Sequence, residues 1–162
     1  MNLTKNKNKK FIIVISFLFI IFILFQYSQP LYQKTKILST NIFTNKKIMM
    51  ISDVLITVEI SNTQEKRMRG LSGREYLPKK TGMLFVFDKI ERHGIWMKDM
   101  NFSIDIIWIN ENDEIIYIIE NAQPESYPDV FLPLTPSKYV LEVNAGFVKE
   151  NKIKMGDKVV FY

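Results

Sequence analysis

The chain has 162 residues, a formal net charge of +5, no cysteine and a single histidine. The missing cysteine excludes disulfides, thiolate nucleophiles and Cys-based zinc sites, and one unsupported histidine makes no zinc centre, so no metal is expected. Residues 1–47 hold eight Lys and no acid, whereas residues 48–162 hold 14 basic against 17 acidic groups; the basic excess lies outside the segment long enough to fold, which argues against nucleic-acid binding.

Lys5, Lys7, Lys9 and Lys10 precede an apolar run, Phe11 to Phe25, interrupted only by Ser16. A basic flank before such a run has the shape of a signal peptide or signal anchor. No small-residue cleavage pattern follows Phe25, and Tyr27 and Tyr32 suit interfacial anchors, so the anchor is the better reading. This predicts a cytoplasmic tail over 1–10, a single transmembrane segment over 11–27 and an extracytoplasmic tether over 28–47. A domain over 48–162 then lies on the outer side of the cytoplasmic membrane, by the excess of Lys on the inner side.

Within the domain, Val54, Ile56, Val58 and Ile60 alternate as a half-buried strand. Ser61 with Gln64, or Asn62 with Glu65, offers a capping box for a short helix over 64–69, closed by Gly70 in the left-handed conformation. The apolar run 82–87 predicts a central strand. Further strands are expected over 93–98 and 104–109, with 115–119 returning as a hairpin partner after a polar turn. Four of the six prolines fall in 122–137, which predicts a long loop rather than an element. A strand over 139–143, a helix over 145–152 capped by Asn144, and a closing strand over 158–161 complete the chain. Seven short strands and two short helices predict an α+β fold, predominantly antiparallel, with a compact barrel-like sheet.

Two segments break the apolar pattern. The first is Arg67, Arg69 and Arg74 in RMRGLSGR; guanidinium forks suit carboxylate, phosphate or sulfate. For Arg69 a solvated helix face paired with Glu65 and Glu75 is the better account, while for Arg67 and Arg74 a ligand and a structural ion pair are equally consistent. The second is residues 94–110, where Asp105 shares a face with Ile107 and Ile109, and Trp96 shares one with Lys98. Glu142 sits among apolar residues in the same way, beside Val140. Buried carboxylates need partners, and Lys98 or an arginine is the expected partner of Asp105. Because seven residues separate Lys98 from Asp105, placing both on one side of the sheet requires a turn or bulge over 99–103. A structural ion-pair network accounts for these charges as readily as a ligand site does. No phosphate-binding loop, dinucleotide fingerprint, Ser–His–Asp arrangement or calcium loop occurs, and no cofactor is implied.

Residues 53–162 resemble the family catalogued as domain of unknown function 192. The resemblance rests on RMRGLSGR (67–74), GMLFVF (82–87), WMKDM (96–100) with IDIIWI (104–109), and YVLEVNAG (139–146) with IKMGDKV (153–159). It implies a compact, largely β fold in a protein that is commonly secreted or membrane-anchored, and it implies no activity. The family's recurrent polar residues fall on Arg67, Arg74, Lys98, Asp105 and Glu142. Asp99 stands where relatives often have Asn, Ser103 where they often have Pro, and the cysteine frequent in the long loop is absent.

The leading expectation is a membrane-tethered binding module for a small anionic ligand or an envelope component, built from Arg67, Arg74, Trp96, Lys98, Asp105 and Glu142. The sequence leans away from an enzyme, but a hydrolase or transferase using Asp105 or Glu142 as general base is the rival, and a structural domain docking an envelope protein is a third. A carboxyl with a raised pKa in a concave site favours the enzyme; a basic pocket without one favours binding; an exposed apolar patch around Phe131 and Leu132 favours docking.

Overall fold

The computed structural model of the chain describes Gln26 and residues 46–162. The tail and anchor, and the tether up to residue 45, lie outside the described residues, apart from Gln26. Among the described residues no helix is long and apolar enough to cross a membrane.

The first strand, β1 (Lys46–Ile51), begins inside the segment expected to be tether. It pairs in antiparallel fashion with β2 (Val54–Ser61). Their two-residue link, Ser52 and Asp53, has φ of 44° and 66°, the twist that joins such strands tightly. Helix α1 (Gln64–Arg69) follows, and its N-cap is Thr63, whose hydroxyl accepts from the Lys66 amide at 3.2 Å. Neither expected cap, Ser61 nor Asn62, is used. Gly70 ends the helix at φ 49° and ψ −132°, a positive φ but not the left-handed helical well. The crossover through α1 sets β3 (Thr81–Glu91) parallel to β2.

The remaining pairings are antiparallel. Strand β5 (Ile104–Ile109) lies between β6 (Ile115–Ala122) and β8 (Ser137–Asn144), and β8 pairs with β3. Strand β9 (Val159–Phe161) joins the outer side of β1, so the seven-stranded order is β6-β5-β8-β3-β2-β1-β9. The sheet curls into a half-barrel, and its two edges approach: the Ile115 amide donates to the Asp157 carbonyl at 2.9 Å and the Val159 amide to the Asp113 carbonyl at 2.9 Å.

Two shorter strands, β4 (Ile95–Trp96) and β7 (Val130–Phe131), form a separate antiparallel ribbon. The strand expected over 93–98 is thus two residues long. The proline-rich loop is not structureless either, since it contributes β7 and a 3-10 turn, Pro124–Ser126. Gly94 allows the ribbon to close, because a Cβ there would stand 2.6 Å from a Val130 methyl.

Every residue of β5 is buried, because both faces of the sheet are covered. Inside the curl, Ile107 and Ile109 pack with Met49, Val58, Leu84 and Leu141. On the outer face, Ile104, Ile106 and Trp108 pack with Phe85, Val140 and Met97 under the loops and the ribbon. Helix α2 (Phe147–Glu150) is shorter than expected, and Gly146, not Asn144, precedes it, with no local side-chain cap.

Candidate functional site

The outer face of the sheet carries a pocket of about 250 Å³. Its side is formed by α1 and the turn after it, through Arg67, Met68, Arg69 and Gly70. Phe85 and Phe87 enter from β3, Ile95 and Trp96 from β4, and Glu142 from β8. Met100 completes the apolar wall. Gly70 suits this wall, because its φ is positive and a Cβ would stand 3.3 Å from the Phe85 ring.

Glu142 reaches the pocket because its register partner on β3 is Met83 and on β5 is Ile106, both on the outer face. The residue is 5% exposed, and its Oε2 has no hydrogen-bond partner. Burial pushes its pKa from 4.5 up to about 8, against a smaller opposing pull from the Arg74 guanidinium. At neutral pH the carboxyl is therefore mostly protonated and presents an O–H donor.

Arg67 is the partly buried cation of this pocket, with a side chain 20% exposed. Its Nη1 donates to the Val86 carbonyl at 2.8 Å, and the guanidinium lies 5.3 Å from the centre of the Phe87 ring. His93 stacks on Phe87, with centroids 3.5 Å apart and an interplanar angle of 6°. The nearest acid, Asp88, is 3.8 Å from Nη2 but its side chain is 90% exposed, so water screens the pair. The lining thus holds two arginines and a single carboxyl, and that carboxyl is largely neutral. Among the described residues no three His, Asp or Glu side chains converge as metal ligands do.

A model of the domain of unknown function 192 family, described as "Uncharacterized ACR", matches residues 47–161. The chain belongs to this family. Its fold is similar to a solved Sinorhizobium meliloti protein described as a candidate transcription regulator, at 31% identity and a TM-score of 0.68, covering 72% of this chain and 93% of that one. It is also similar to a Novosphingobium aromaticivorans protein of unknown function, at 27% identity and a TM-score of 0.65, covering 71% and 82%. No curated protein matches the chain at a significant level.

The segments that carry the family resemblance are hydrogen-bonded to one another. The Gly73 amide donates to the Asp99 carbonyl at 2.7 Å, the Ser72 hydroxyl to the Lys98 carbonyl at 2.8 Å, and Asn101 Nδ2 to the Arg74 carbonyl at 2.9 Å. Asp99 has φ 55°, where Asn and Asp are the side chains best tolerated after glycine. Ser103 donates to Gln123 Oε1 at 2.9 Å.

The six candidate residues do not form one cluster. Arg67, Trp96 and Glu142 line the pocket. Arg74 lies outside the lining and forms a two-point ion pair with Glu59, both bonds 2.8 Å. The expected Lys98–Asp105 pair does not exist. The turn over 98–102 is present, yet Lys98 is exposed and Asp105 faces the interior of the curl. Asp105 Oδ1 accepts from the Asn121 and Gly146 amides at 2.8 and 3.2 Å, and Oδ2 from the Val148 amide at 2.9 Å. The carboxyl caps α2 from across the sheet, which explains why that helix has no local cap. Asn144 instead donates to the Leu77 carbonyl at 2.9 Å.

The apolar wall was not foreseen as a site. Phe85, Phe87, Ile95 and Met100 are residue types that also fill a core, and only the third dimension separates the two uses. The advance signals were Arg67, Trp96 and Glu142, the last a charged residue in an apolar strand.

Proposed function

We propose that the domain is a binding module for small amphipathic anions. The observation that carries this reading is the pocket itself: an apolar cavity of about 250 Å³ with Arg67 and Arg69 in its lining and Glu142 as its one acid. The apolar body of a ligand would lie against Phe85, Ile95 and Trp96, with its anionic group toward Arg67. Trp96, 41% exposed in the free protein, would be covered. Titrating the full chain with benzoate should quench Trp fluorescence saturably. Arg67→Met should weaken benzoate about tenfold, which is ~1.4 kcal/mol. Unchanged affinity in that variant would remove the anion from the proposal.

The raised pKa of Glu142 also favours an enzyme using it as general acid or base. Among the described residues, Ser72 is the hydroxyl-bearing side chain in the lining. It has its hydroxyl hydrogen-bonded to the Lys98 carbonyl. Turnover of p-nitrophenyl acetate that disappears in Glu142→Gln would reverse this preference.

The basic preface, the apolar run and the missing cleavage pattern support a tether holding the module outside the cytoplasmic membrane. Protein recovered from membranes should then keep residues 1–25, and protease added to spheroplasts should degrade the domain. Protection of the domain would reverse the orientation.

A further inference from the structure

We propose that the carboxyl of Glu142 is the second recognition point of this pocket, donating a hydrogen bond to an uncharged oxygen at the inner end of the ligand. The ligand is then bifunctional: an anion at one end, an apolar middle, and a carbonyl, ether or hydroxyl oxygen at the other. This rests on the pocket reading above, and it narrows the ligand class.

The geometry behind it is an unsatisfied atom. Buried side-chain oxygens in folded proteins nearly always find a partner. Glu142 Oε2 has none, although the residue is 5% exposed and lines a cavity large enough for a ligand. Its strand neighbours cannot supply one, since Met83 and Ile106, its register partners, carry no donor or acceptor that competes well. An acceptor delivered by a ligand would give this otherwise unbonded carboxyl a partner.

The charges facing Glu142 decide which form of the carboxyl meets that ligand. Arg74, in the segment after α1, is the cation that acts on it, and Glu59 of β2 already engages Arg74 through two hydrogen bonds. Arg67 and Arg69 come from α1, while β4 contributes the uncharged Ile95 and Trp96. Desolvation outweighs the Arg74 attraction, so the O–H form persists up to about pH 8. A protonated carboxyl donates to a neutral oxygen and does not repel the anion at Arg67. A carboxylate would instead select an ammonium group.

Three para-substituted benzoates separate these cases, each anionic at one end. 4-Acetylbenzoate ends in a neutral acceptor, 4-isopropylbenzoate in an apolar group, and 4-(aminomethyl)benzoate in a cation. Binding to the full chain can be followed through the methyl signals of Met68 and Met100, which line the pocket. At pH 6.5 the acetyl compound should bind about tenfold more tightly than the isopropyl compound, as one desolvated hydrogen bond allows. That advantage should vanish by pH 9.5 in the wild type and persist at both values in Glu142→Gln, whose amide keeps a donor. Equal binding of the acetyl and isopropyl compounds, or preference for the aminomethyl compound, overturns the role of Glu142 while leaving the pocket reading in place. If none of the three moves either methyl signal, both readings fall.

Discussion

Replacing Asp105 tests how the curl is held to α2. The side chain is fully buried and receives three backbone N–H groups, from Asn121 at the end of β6 and from Gly146 and Val148 at the start of α2. Removing an acceptor strands its donors, and each buried N–H left unpaired costs about 1–3 kcal/mol. Asn121 is exposed and Gly146 half-buried, so water can reach their amides, but Val148 is 3% exposed. Asp105→Ala should therefore destabilise the domain by about 3–4 kcal/mol, less than three full penalties. Asp105→Asn can keep both bonds at Oδ1, but it turns an amide donor toward the Val148 N–H, and a loss of about 2–3 kcal/mol is expected. Urea unfolding of the full chain, followed by far-ultraviolet circular dichroism, measures both. Lys98→Ala should cost under about 0.5 kcal/mol and add simply to either Asp105 change. Near-wild-type stability of Asp105→Asn would refute the capping argument. A coupling above about 1 kcal/mol between positions 98 and 105 would restore the ion pair that the geometry denies.

Glu142→Gln should alter the pH dependence of stability. Because the folded-state pKa is raised from 4.5 to about 8, the native state holds its proton more tightly than the unfolded chain, and the wild type loses stability as pH rises through that window. At about 1.4 kcal/mol per pH unit, the wild type should fall roughly 3 kcal/mol relative to Glu142→Gln between pH 5 and 7.5; parallel profiles would show that the carboxyl is not desolvated. The Arg74–Glu59 pair holds the Glu59 pKa below 4.5, mainly by hydrogen bonding, so its contribution is present above that value and lost as pH falls further. Both side chains are about a third exposed, and a double-mutant cycle with Arg74→Met and Glu59→Gln should give only about 1 kcal/mol at pH 7 after solvent screening; a zero result would mark the pair as ornamental. Gly94→Ala should cost about 1–2 kcal/mol, because the new methyl meets Val130 at 2.6 Å, and unchanged stability would mean that β7 shifts freely.

The strands that were legible in advance are those with strong apolar runs. Strands β2, β3, β5, β6 and β8 were located from alternation or continuous hydrophobicity, because burial on one face or both leaves that record, and β9 was expected over 158–161. Strand β1 was hidden: KKIMMI follows a Lys-bearing stretch and shows no alternation, so Lys46 and Lys47 read as tether and no strand was expected before Val54. Strand β7 was hidden because two residues between prolines carry no periodicity. The buried acids were legible as exceptions, but their partners were not. Asp105 binds three backbone amides brought together by two elements, and backbone donors leave no mark in a sequence. The expected cap of α2 failed for a related reason. A local rule looks three residues away, whereas α2 is capped by a side chain that is 41 residues before Gly146.

The pairing of β1 with β9 bears on how the chain reaches its final state. Met49 lies opposite Phe161, and Ser52 hydrogen-bonds Asp157 across 105 residues of sequence. One wall of the curl therefore stays open until the chain has been made as far as β9. Contacts of such long range are slow to form, and Met49 and Ile51 cannot be sealed from water by local structure alone. As the chain is synthesised from its N-terminal end, β1 is made early and waits for its neighbour. A chain stalled before Val159 would present an unpaired strand edge with apolar side chains beside it, the kind of surface that chaperones and proteases recognise. Only the pairing of β9 with β1 covers that edge in the folded sheet.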